Sequence, residues 1–407
     1  MSVGVFSTAQ FTQDLPKKSF AAAFTRLFPN GNSPLFGLTS MLDSETALQI
    51  DHGFFTKTMV FPQLTLSTAG QAIGDTTFTV TSTNNVLPGM VLRVDSTGEN
   101  IVINSVLSPT QVAVQRGLGG VAAQAIAASI NCYQVGNAFE ESSMRPNALA
   151  INPVRVTNLT QIFRNTWAIS DTARATLTIA GDTNVAENRQ DCAAFHAADI
   201  EKSLFFGQKY QGVRNGQPFH LMDGLYSIVS NLANYPTSYS AANVTAAGAT
   251  TNYTQFEAAF DPCFNQVTDP KYANERVLFV GGTAKKVINN IGRLNGTYYM
   301  VDGQTSYGLQ FSTIKIARGT FRVIEHPLFN TNASWSKLAI AADLNTFRLA
   351  YLGDRKTSNK EFGMEGGDIA DNGLDAVGGT LTTEVTCVIK NPPAFGIMTG
   401  LTAGAAG

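Results

Sequence analysis

The stretch from residue 153 to residue 206 constrains the fold more than any other part of this 407-residue chain. It opens on a Thr-rich segment with an extended pattern and passes through a Gly-Asp turn into a run of helix formers. The pattern predicts a helix that begins at Asn184, with Glu187 three residues on as in a capping box, and ends before Gly207. Such a helix is about 33 Å long. A rod of that length is suited to lie across a sheet and to be contacted by neighbours.

The chain carries unusually little charge. Charged residues make up only 14% of it, against about 25% in an average soluble domain. Lys and Arg total 28 and Asp and Glu total 30, which gives a net charge of −2. A free monomer with so few charges is poorly protected against association. The composition therefore fits either a surface that other subunits cover or an ordinary β-rich protein of low charge.

Several classes of protein are disfavoured by composition. The near-neutral balance argues against a dedicated nucleic-acid binder, although Lys17, Lys18 and Arg26 could face DNA locally. No apolar run is long enough to span a membrane, and the N-terminus lacks the pattern of a secretory signal. The length favours two or three domains. The cysteines are far apart and are predicted to be buried thiols in a reducing cytoplasm rather than disulfide or metal ligands; they are Cys132, Cys192, Cys263 and Cys387.

The first part of the chain divides into an irregular arm and an extended segment. Residues 1–45 are interrupted by prolines, but Ser19 to Phe28 spaces its apolar side chains on one helical face. That short helix is predicted to dock either on a partner surface or on its own domain. Residues 46–62 have an extended pattern that ends at Pro62.

Residues 63–139 form a separate pattern of short alternating strands with turns between them. The turns are predicted at Pro88-Gly89, at Thr97-Gly98 and across Gly117 to Gly120. The strands are predicted at 76–82, 90–96, 100–107, 111–116 and 129–136. The pattern indicates a small all-β module of five or six strands. Because it carries only five charged side chains, it is either tightly packed or covered by a neighbour.

The remainder indicates an α+β fold. Thr254 and Glu257 have the spacing of a capping box for a helix that Pro262 must bend or interrupt. A buried strand at 277–282 leads into a helix at 283–294. Further strands are predicted at 309–317, 320–326, 337–344, 346–353 and 382–391. The Gly-rich, polar stretch at 357–380 is predicted to be a surface loop.

No group of residues reaches the level of a catalytic hypothesis. The chain has four histidines, His52, His196, His220 and His326. None has metal-ligand spacing, so His196, near Asp199 and Glu201, is predicted to be a surface or interface residue. Glu140 and Glu141 are adjacent and would point to opposite faces of a strand. We therefore predict no catalytic, cofactor-binding or metal-binding residues and a protein that is not an enzyme.

Two further motifs suggest ligands only weakly. VLFVGGTAKK (277–286) places a glycine pair before a helix, but it lacks the spacing of a phosphate-binding loop and predicts a tight strand-to-helix turn. Asp368, Asp371 and Asp375 have no EF-hand spacing. They are predicted to form an acidic surface loop, with a calcium site as the alternative.

Several segments, in order, resemble the major capsid proteins of tailed bacteriophages with the Hong Kong 97-like fold, in the group whose extended loop carries an inserted β-module. The long helix resembles the spine helix of that family. The other segments are EESSMRPNAL (140–149), VRVTNLTQIFR (154–164), MDGLYSIV (222–229), ERVLFVGGTAKKVINNI (275–291), DLNTFRLAYLGDR (343–355) and LTTEVTCVIKNPPAFGIMTGL (381–401). Together, in this order, they cover most of the chain beyond residue 140.

The resemblance implies a division of the chain into parts. Residues 1–45 would be the N-terminal arm, and residues 46–182 the extended loop with its β-module at about 63–139. Residues 183–220 would be the spine-helix region of the peripheral domain. Residues 221–407 would form the axial domain and the remaining peripheral-domain strands.

The resemblance also implies a function and partners. The chain would assemble with itself as pentamers and hexamers into an icosahedral procapsid that matures as double-stranded DNA is packaged inside, without sequence specificity. A scaffolding protein, a portal and a cement or decoration protein would be partners, no membrane would be involved, and assembly would occur in the host bacterial cytoplasm. Some members join subunits through a Lys–Asn bond, but this chain has no lysine between Lys57 and Lys202, so a shell without cross-links is expected.

Two other functions remain open at the level of sequence. One is the shell of a cellular nanocompartment of the encapsulin type, which shares the fold and encloses an enzyme. The other is a phage carbohydrate-binding or receptor-binding protein, with residues 63–139 as the binding module. Against the second stand the lack of a carboxylate pair and the presence of only two tryptophans, Trp167 and Trp335.

Overall fold

The structure is a computed structural model that describes residues 34–40, 43–57, 62–67, 70–84, 86–148, 152–175, 184–230, 243–265, 271, 274–294, 301–306, 309–363 and 375–404. It divides into two units. Unit 1 comprises Met1–Thr56 and Arg155–Gly407, and unit 2 comprises Lys57–Val154. The predicted helix at Ser19 to Phe28, together with Asp368 and Asp371, lies outside the described residues.

The helices of the described residues are α1 (Pro34–Ser40), α2 (Asp171–Ala175), α3 (Asn184–Phe206), α4 (Leu225–Ser230), α5 (Tyr253–Phe260) and α6 (Gly282–Leu294). Short 3-10 helices cover Asp261–Phe264, Pro327–Thr331, Trp335–Lys337 and Pro392–Ala394.

The strands before α3 are β1 (Glu45–Ala47), β2 (Asp51–Thr56), β3 (Gln63–Thr65), β4 (Thr77–Thr79), β5 (Met90–Val94), β6 (Asn100–Ser108), β7 (Gln111–Leu118), β8 (Asn131–Asn137), β9 (Val154–Leu159) and β10 (Gln161–Ser170). Those after it are β11 (Tyr210–Arg214), β12 (Gln217–Leu221), β13 (Val244–Ala246), β14 (Glu275–Val280), β15 (Val301–Ser306), β16 (Leu309–Lys315), β17 (Thr320–Glu325), β18 (Ala339–Ala342), β19 (Phe347–Leu352), β20 (Ser358–Phe362), β21 (Ala376–Ile389) and β22 (Gly396–Thr399).

Unit 2 is a closed β-barrel. Six strands follow the order β3-β8-β5-β6-β7-β4, and the two edges meet through an antiparallel bridge between Leu66 and Val80. The amide of Ser67 donates to the carbonyl of Thr79 at 2.9 Å beside that bridge. Alternate residues of the strands point inward and form one buried apolar core. Closure leaves the barrel without an open edge strand.

A buried ion pair lies within unit 2. The guanidinium of Arg116 donates to both carboxylate oxygens of Glu99, at 3.1 and 2.7 Å, and the Glu99 side chain is fully buried. Arg116 also donates to the carbonyls of Ala72 and Ile73. Burial alone raises the pKa of Glu99, but hydrogen bonds from Arg116 and the Gly117 amide outweigh it and hold the pKa below its usual value. The pair joins the barrel wall to the loop at 70–75.

The main sheet of unit 1 carries the long helix. Strands β1, β19, β21 and β10 are neighbours in that order, and β20 also pairs with β21. β10 and β21 pair antiparallel over ten residues, from Gln161 opposite Val385 to Ser170 opposite Ala376. Helix α3 packs on β10, as the sequence predicts for a rod laid across a sheet.

A second sheet of unit 1 has seven strands, and its central strand β14 is covered on both faces. The strand order is β13-β22-β18-β14-β17-β16-β15. Alternate residues of β14 enter different cores, because Phe279 packs with the residues of α3 while Leu278 and Val280 pack with α5 and α6. Burial on both faces accounts for the near-continuous apolar run of this strand.

Most predicted elements of the part described are confirmed. They include α3, which ends at Phe206 before Gly207; the strand-to-helix order of β14 and α6; and the α+β class as a whole. The interruption at Pro262 is also confirmed, since α5 ends at Phe260 and a 3-10 helix follows. The four cysteines are free and buried, as predicted.

Two predictions about local structure were wrong. The cap of α5 is Asn252 rather than Thr254, because the Asn252 side chain accepts from the Gln255 amide and Gln255 reaches back to Asn252. The stretch 357–380 contains β20 and the start of β21 rather than a loop throughout. Its glycines have a packing role: a Cβ on Gly379 would lie 2.8 Å from Nε1 of Trp167.

Candidate assembly surface along the long helix

Helix α3 is anchored by its C-terminal half. Ile200, Leu204 and Phe205 are fully buried and pack in the core with residues of β14 and of the 3-10 helix at Pro327–Thr331. The ring of Phe206 stacks on Trp335 with 4.3 Å between centroids. The helix is therefore packed against elements of both sheets of unit 1.

The buried carboxylate of Glu201 connects α3 with α1 and with His326. Glu201 has no exposed side-chain area. Its carboxylate accepts from the amides of Leu35 and Phe36 at 2.8 and 2.6 Å, and Oε1 lies 2.7 Å from Nε2 of His326. The two amides belong to the first turn of α1, where backbone donors have no partner within the helix. Glu201 thus fixes the point at which the N-terminal segment joins the body of the subunit.

His196 lies in a second buried polar cluster, and the prediction of a surface or interface position was wrong. Its Nδ1 is 2.7 Å from Oδ1 of Asn165, and its Nε2 is 2.7 Å from the Thr383 hydroxyl. The amide nitrogen of Asn165 donates to Asp199, so its oxygen faces the ring and Nδ1 carries the proton. Burial lowers the pKa of His196, while the charge of Asp199 acts in the opposite direction. The cluster ties α3 to β10 and β21.

Beside this cluster, the flank of α3 next to β10 is open. Asn165, Trp167, Asp191, Phe195 and Asp199 line a groove of about 530 Å³ between the helix and β10. Phe195 is 59% exposed. The helix thus presents the aromatic ring of Phe195 and the carboxylate of Asp199 at its surface.

Other exposed apolar side chains lie on extended ribbons. Leu48 is 89% exposed just before β2, and Phe55 on β2 is 70% exposed. β2 pairs with β9 as a two-stranded ribbon. Val213, on the β11–β12 hairpin, is 74% exposed. Single exposed apolar side chains are ordinary on proteins, but Phe55 and Val213 lie on ribbons that have no third strand among the described residues.

The β11–β12 hairpin was missed by the sequence analysis. Its turn is Asn215-Gly216, and both residues have positive φ, 51° and 74°. That geometry is a type I′ turn, for which Asn-Gly is the strongest short-range signal. The dipeptide was therefore present in the sequence and sufficient to predict the hairpin.

The residues considered for chemistry do not assemble into a site. Glu140 and Glu141 are exposed in a segment without strands. The N-terminus of α6 is occupied, because Oδ1 of Asn330 accepts from the Gly282 amide at 2.6 Å, and a Cβ on Gly281 would lie 2.4 Å from the Ser336 carbonyl oxygen. The predicted tight turn at this position is confirmed. Among the described residues no cluster of three or more His, Cys, Asp or Glu could hold a metal, and none of their helices is long and apolar enough to cross a membrane. The absence of catalytic, cofactor and metal residues stays a prediction.

Nearly the whole chain is similar to known proteins. A family model described as SU10 major capsid protein matches residues 5–402. The major capsid protein of Pseudomonas phage PaMx41 is 36% identical over 407 residues, which span 98% of this chain and 96% of that protein.

Solved structures give a weaker likeness. A chain from Mycobacterium phage Adephagia is similar at 9% identity and a TM-score of 0.45, over 99% of each chain. The holo-SrpI encapsulin complex from Synechococcus elongatus PCC 7942 is similar at 7% identity and a TM-score of 0.41, over 62% of this chain and 78% of that one. Both TM-scores are low, and the family assignment rests on the two sequence matches.

Replacing Glu201 by Gln is expected to lower the free energy of unfolding of the unassembled subunit by about 3 kcal/mol. One of the buried donors then faces an amide nitrogen instead of an oxygen. Denaturant unfolding followed by the fluorescence of Trp167 and Trp335 measures the loss, and faster hydrogen exchange at Leu35 and Phe36 locates it. Glu187→Gln makes the same chemical change on a half-exposed part of α3, and an equal loss in both variants would contradict this role for Glu201.

The His196 cluster predicts a pH dependence of stability. Because the pKa of His196 is lowered in the folded state, the unfolded chain takes up a proton first as the pH falls. Neutral His196 therefore makes its full contribution to the free energy of unfolding above about pH 6.5. That contribution declines as the pH drops from there towards the folded-state pKa. His196→Gln should be less stable at pH 7.5 and should lose stability less steeply below about pH 6.5. The test is the melting temperature of unassembled subunits, measured from pH 7.5 to below about pH 6.5. The control variant His220→Gln is expected to show the same change of melting temperature with pH as the wild type.

Proposed function

The chain belongs to the SU10 major capsid protein family and is a structural subunit of an icosahedral phage capsid, and from this premise we propose how its parts share the work of assembly. Pentamers and hexamers of the chain close into the head and enclose double-stranded DNA. The low charge of the chain and the exposed Leu48, Phe55, Phe195 and Val213 support this, because such a surface becomes favourable when copies cover it.

The proposed division of labour follows the parts of a Hong Kong 97-like subunit. Residues 1–45 act as an arm that reaches a neighbouring copy, and residues 46–182 act as the extended loop that carries the β-module at about 63–139. Residues 183–220 form the rigid spine of the peripheral domain, and residues 221–407 form the axial domain with the remaining peripheral strands. The attachment of α1 to Glu201 supports the first role, because an arm needs a firm base to transmit tension to the body of its subunit.

The proposed partners act at different stages. A separate scaffolding protein guides assembly in the host bacterial cytoplasm, a portal occupies one vertex, and a cement or decoration protein stabilises the mature shell. DNA lies against the inner face without sequence-specific contacts. The near-neutral charge supports this last point, since specific or tight DNA binding would call for clustered Lys and Arg.

The capsid function displaces the two other functions left open by the sequence. A relative that is 36% identical over almost the whole chain is a phage major capsid protein, whereas the likeness to an encapsulin is confined to a weak structural match. Both tryptophans lie in unit 1, so the barrel of unit 2 has none to stack on a sugar ring. We propose that the chain performs no catalysis in the assembled head.

Full-length chain, expressed with and without its scaffold and separated by size-exclusion chromatography, is expected to give closed shells or pentamer and hexamer rings of megadalton scale. Negative-stain microscopy would identify them, because a shell sums many modest contacts and forms only from many copies. A subunit that stays a 43.4 kDa monomer under both conditions would overturn the assembly proposal.

Mature heads are expected to be held without covalent links between subunits. The segment between Lys57 and Lys202 has no lysine to act as a nucleophile. Purified heads that are boiled in denaturant should therefore run as one band at 43.4 kDa on a gel. A ladder of higher bands would contradict the prediction, and mass spectrometry of those bands would identify the linked residues.

A further inference from the structure

The outer wall of the barrel in unit 2 carries a continuous face of large side chains. Arg93 on β5 lies directly opposite Tyr133 on β8, and Val91 on β5 lies opposite Val102 on β6. Val135 on β8 follows Tyr133 on the same side of the strand. Tyr133 and Val135 are 45% and 56% exposed. These five residues, together with Asp95 at the end of β5, define what we call the barrel face.

The barrel face also carries the two charged side chains of residues 63–139 that have no partner among the described residues of the barrel. Residues 63–139 contain five charged side chains, and Glu99 and Arg116 neutralise each other in the interior. Asp75 accepts from the Ala72 amide in its own turn. Arg93 and Asp95 remain; both are exposed on either side of the buried Val94, and within the described residues neither side chain makes an ion pair or hydrogen bond.

A cation and an anion two residues apart along the chain form a self-complementary pair. Their Cα atoms are about 7 Å apart. When a second copy of the same face is turned by a two-fold axis, Arg93 meets the partner's Asp95, and Asp95 meets the partner's Arg93. A purely acidic or purely basic partner would match one of the two charges and repel the other. A second copy of this chain carries both charges at the same spacing, and it is therefore the occupant that this charge pattern fits.

We propose that the barrel face binds the barrel face of a second subunit across a two-fold axis. Tyr133, Val135 and Val91 form the apolar centre of the contact, and the two Arg93–Asp95 pairs at its rim set the orientation. Tyr and Arg are the residue types that protein interfaces favour, and charge pairs at a rim select the partner more than they add affinity. The inference rests on the proposed function, since it requires that copies assemble.

Charge reversal in the full-length chain tests the contact. Arg93→Asp places two acidic residues on the face and Asp95→Arg places two basic ones, so each single variant replaces two attractions by two repulsions. Each should lower the yield of closed shells about tenfold at low salt, and the loss should shrink at about 1 M salt, where exposed charges are screened. The double variant R93D/D95R restores opposite charges and should restore the yield.

A mixing experiment separates a contact between copies from an effect within one chain. Equal amounts of the R93D and D95R subunits should assemble together, because the doubly acidic face of the first variant then meets the doubly basic face of the second. A folding defect in either variant cannot be corrected by mixing. Unassembled R93D and D95R subunits should also melt at the wild-type temperature.

Matched controls change charge elsewhere in unit 2. Arg145→Asp and Glu141→Arg alter exposed side chains by the same amount as R93D and D95R, and both should assemble normally. Shells that form equally well from all variants would overturn the barrel contact and leave the capsid function intact. Wild-type chain that forms no shell with its scaffold would instead overturn the assembly proposal on which the contact rests.

Discussion

The buried carboxylate of Glu201 is the contact on which the arrangement of unit 1 depends most. Removing an ionised carboxyl group from water costs several kcal/mol unless donors replace the water. The donors here are the first amides of α1 and the ring of His326. Because the carboxylate and its donors come from three distant parts of the sequence, these contacts form only when α1 and the segment after β17 are in place beside α3. Any arrangement that leaves the Glu201 carboxylate without these donors is disfavoured by the cost of its desolvation.

The same reasoning accounts for the distribution of polar and apolar groups in the subunit. Polar side chains such as His196 and Glu201 lie inside, where each has a defined partner, while Phe195 and Val213 lie outside. In a shell subunit, exposed apolar surface drives association between copies, and the few polar pairs inside the apolar core fix the shape that is repeated. A low total charge then reduces repulsion between copies.

The sequence predicted regular elements well and tertiary contacts poorly, for physical reasons. The helix of α3 and the strand-to-helix order of β14 and α6 follow from local periodicity, which a single chain segment contains. The burial of His196 depends on Asn165 and Thr383, which are distant in sequence, and no local pattern reports them. The Gly-rich start of β21 resembles a loop because glycine makes room there for Trp167, a reason that exists only in the folded state. The hairpin at Asn215-Gly216 differs from these cases, since its signal was local.

Two kinds of surface in the subunit can therefore make two kinds of contact. The ribbons β2–β9 and β11–β12 have open edges among the described residues, and an open edge can pair its backbone with another chain irrespective of side-chain identity. The barrel of unit 2 is closed, so its backbone groups are used internally and any contact must act through side chains. Backbone pairing permits slippage where no buried face fixes the register, whereas an Arg93–Asp95 pair across a two-fold axis tolerates very little. A shell that must both change shape and keep its symmetry needs both kinds, and the closed barrel is the part suited to preserve the symmetry.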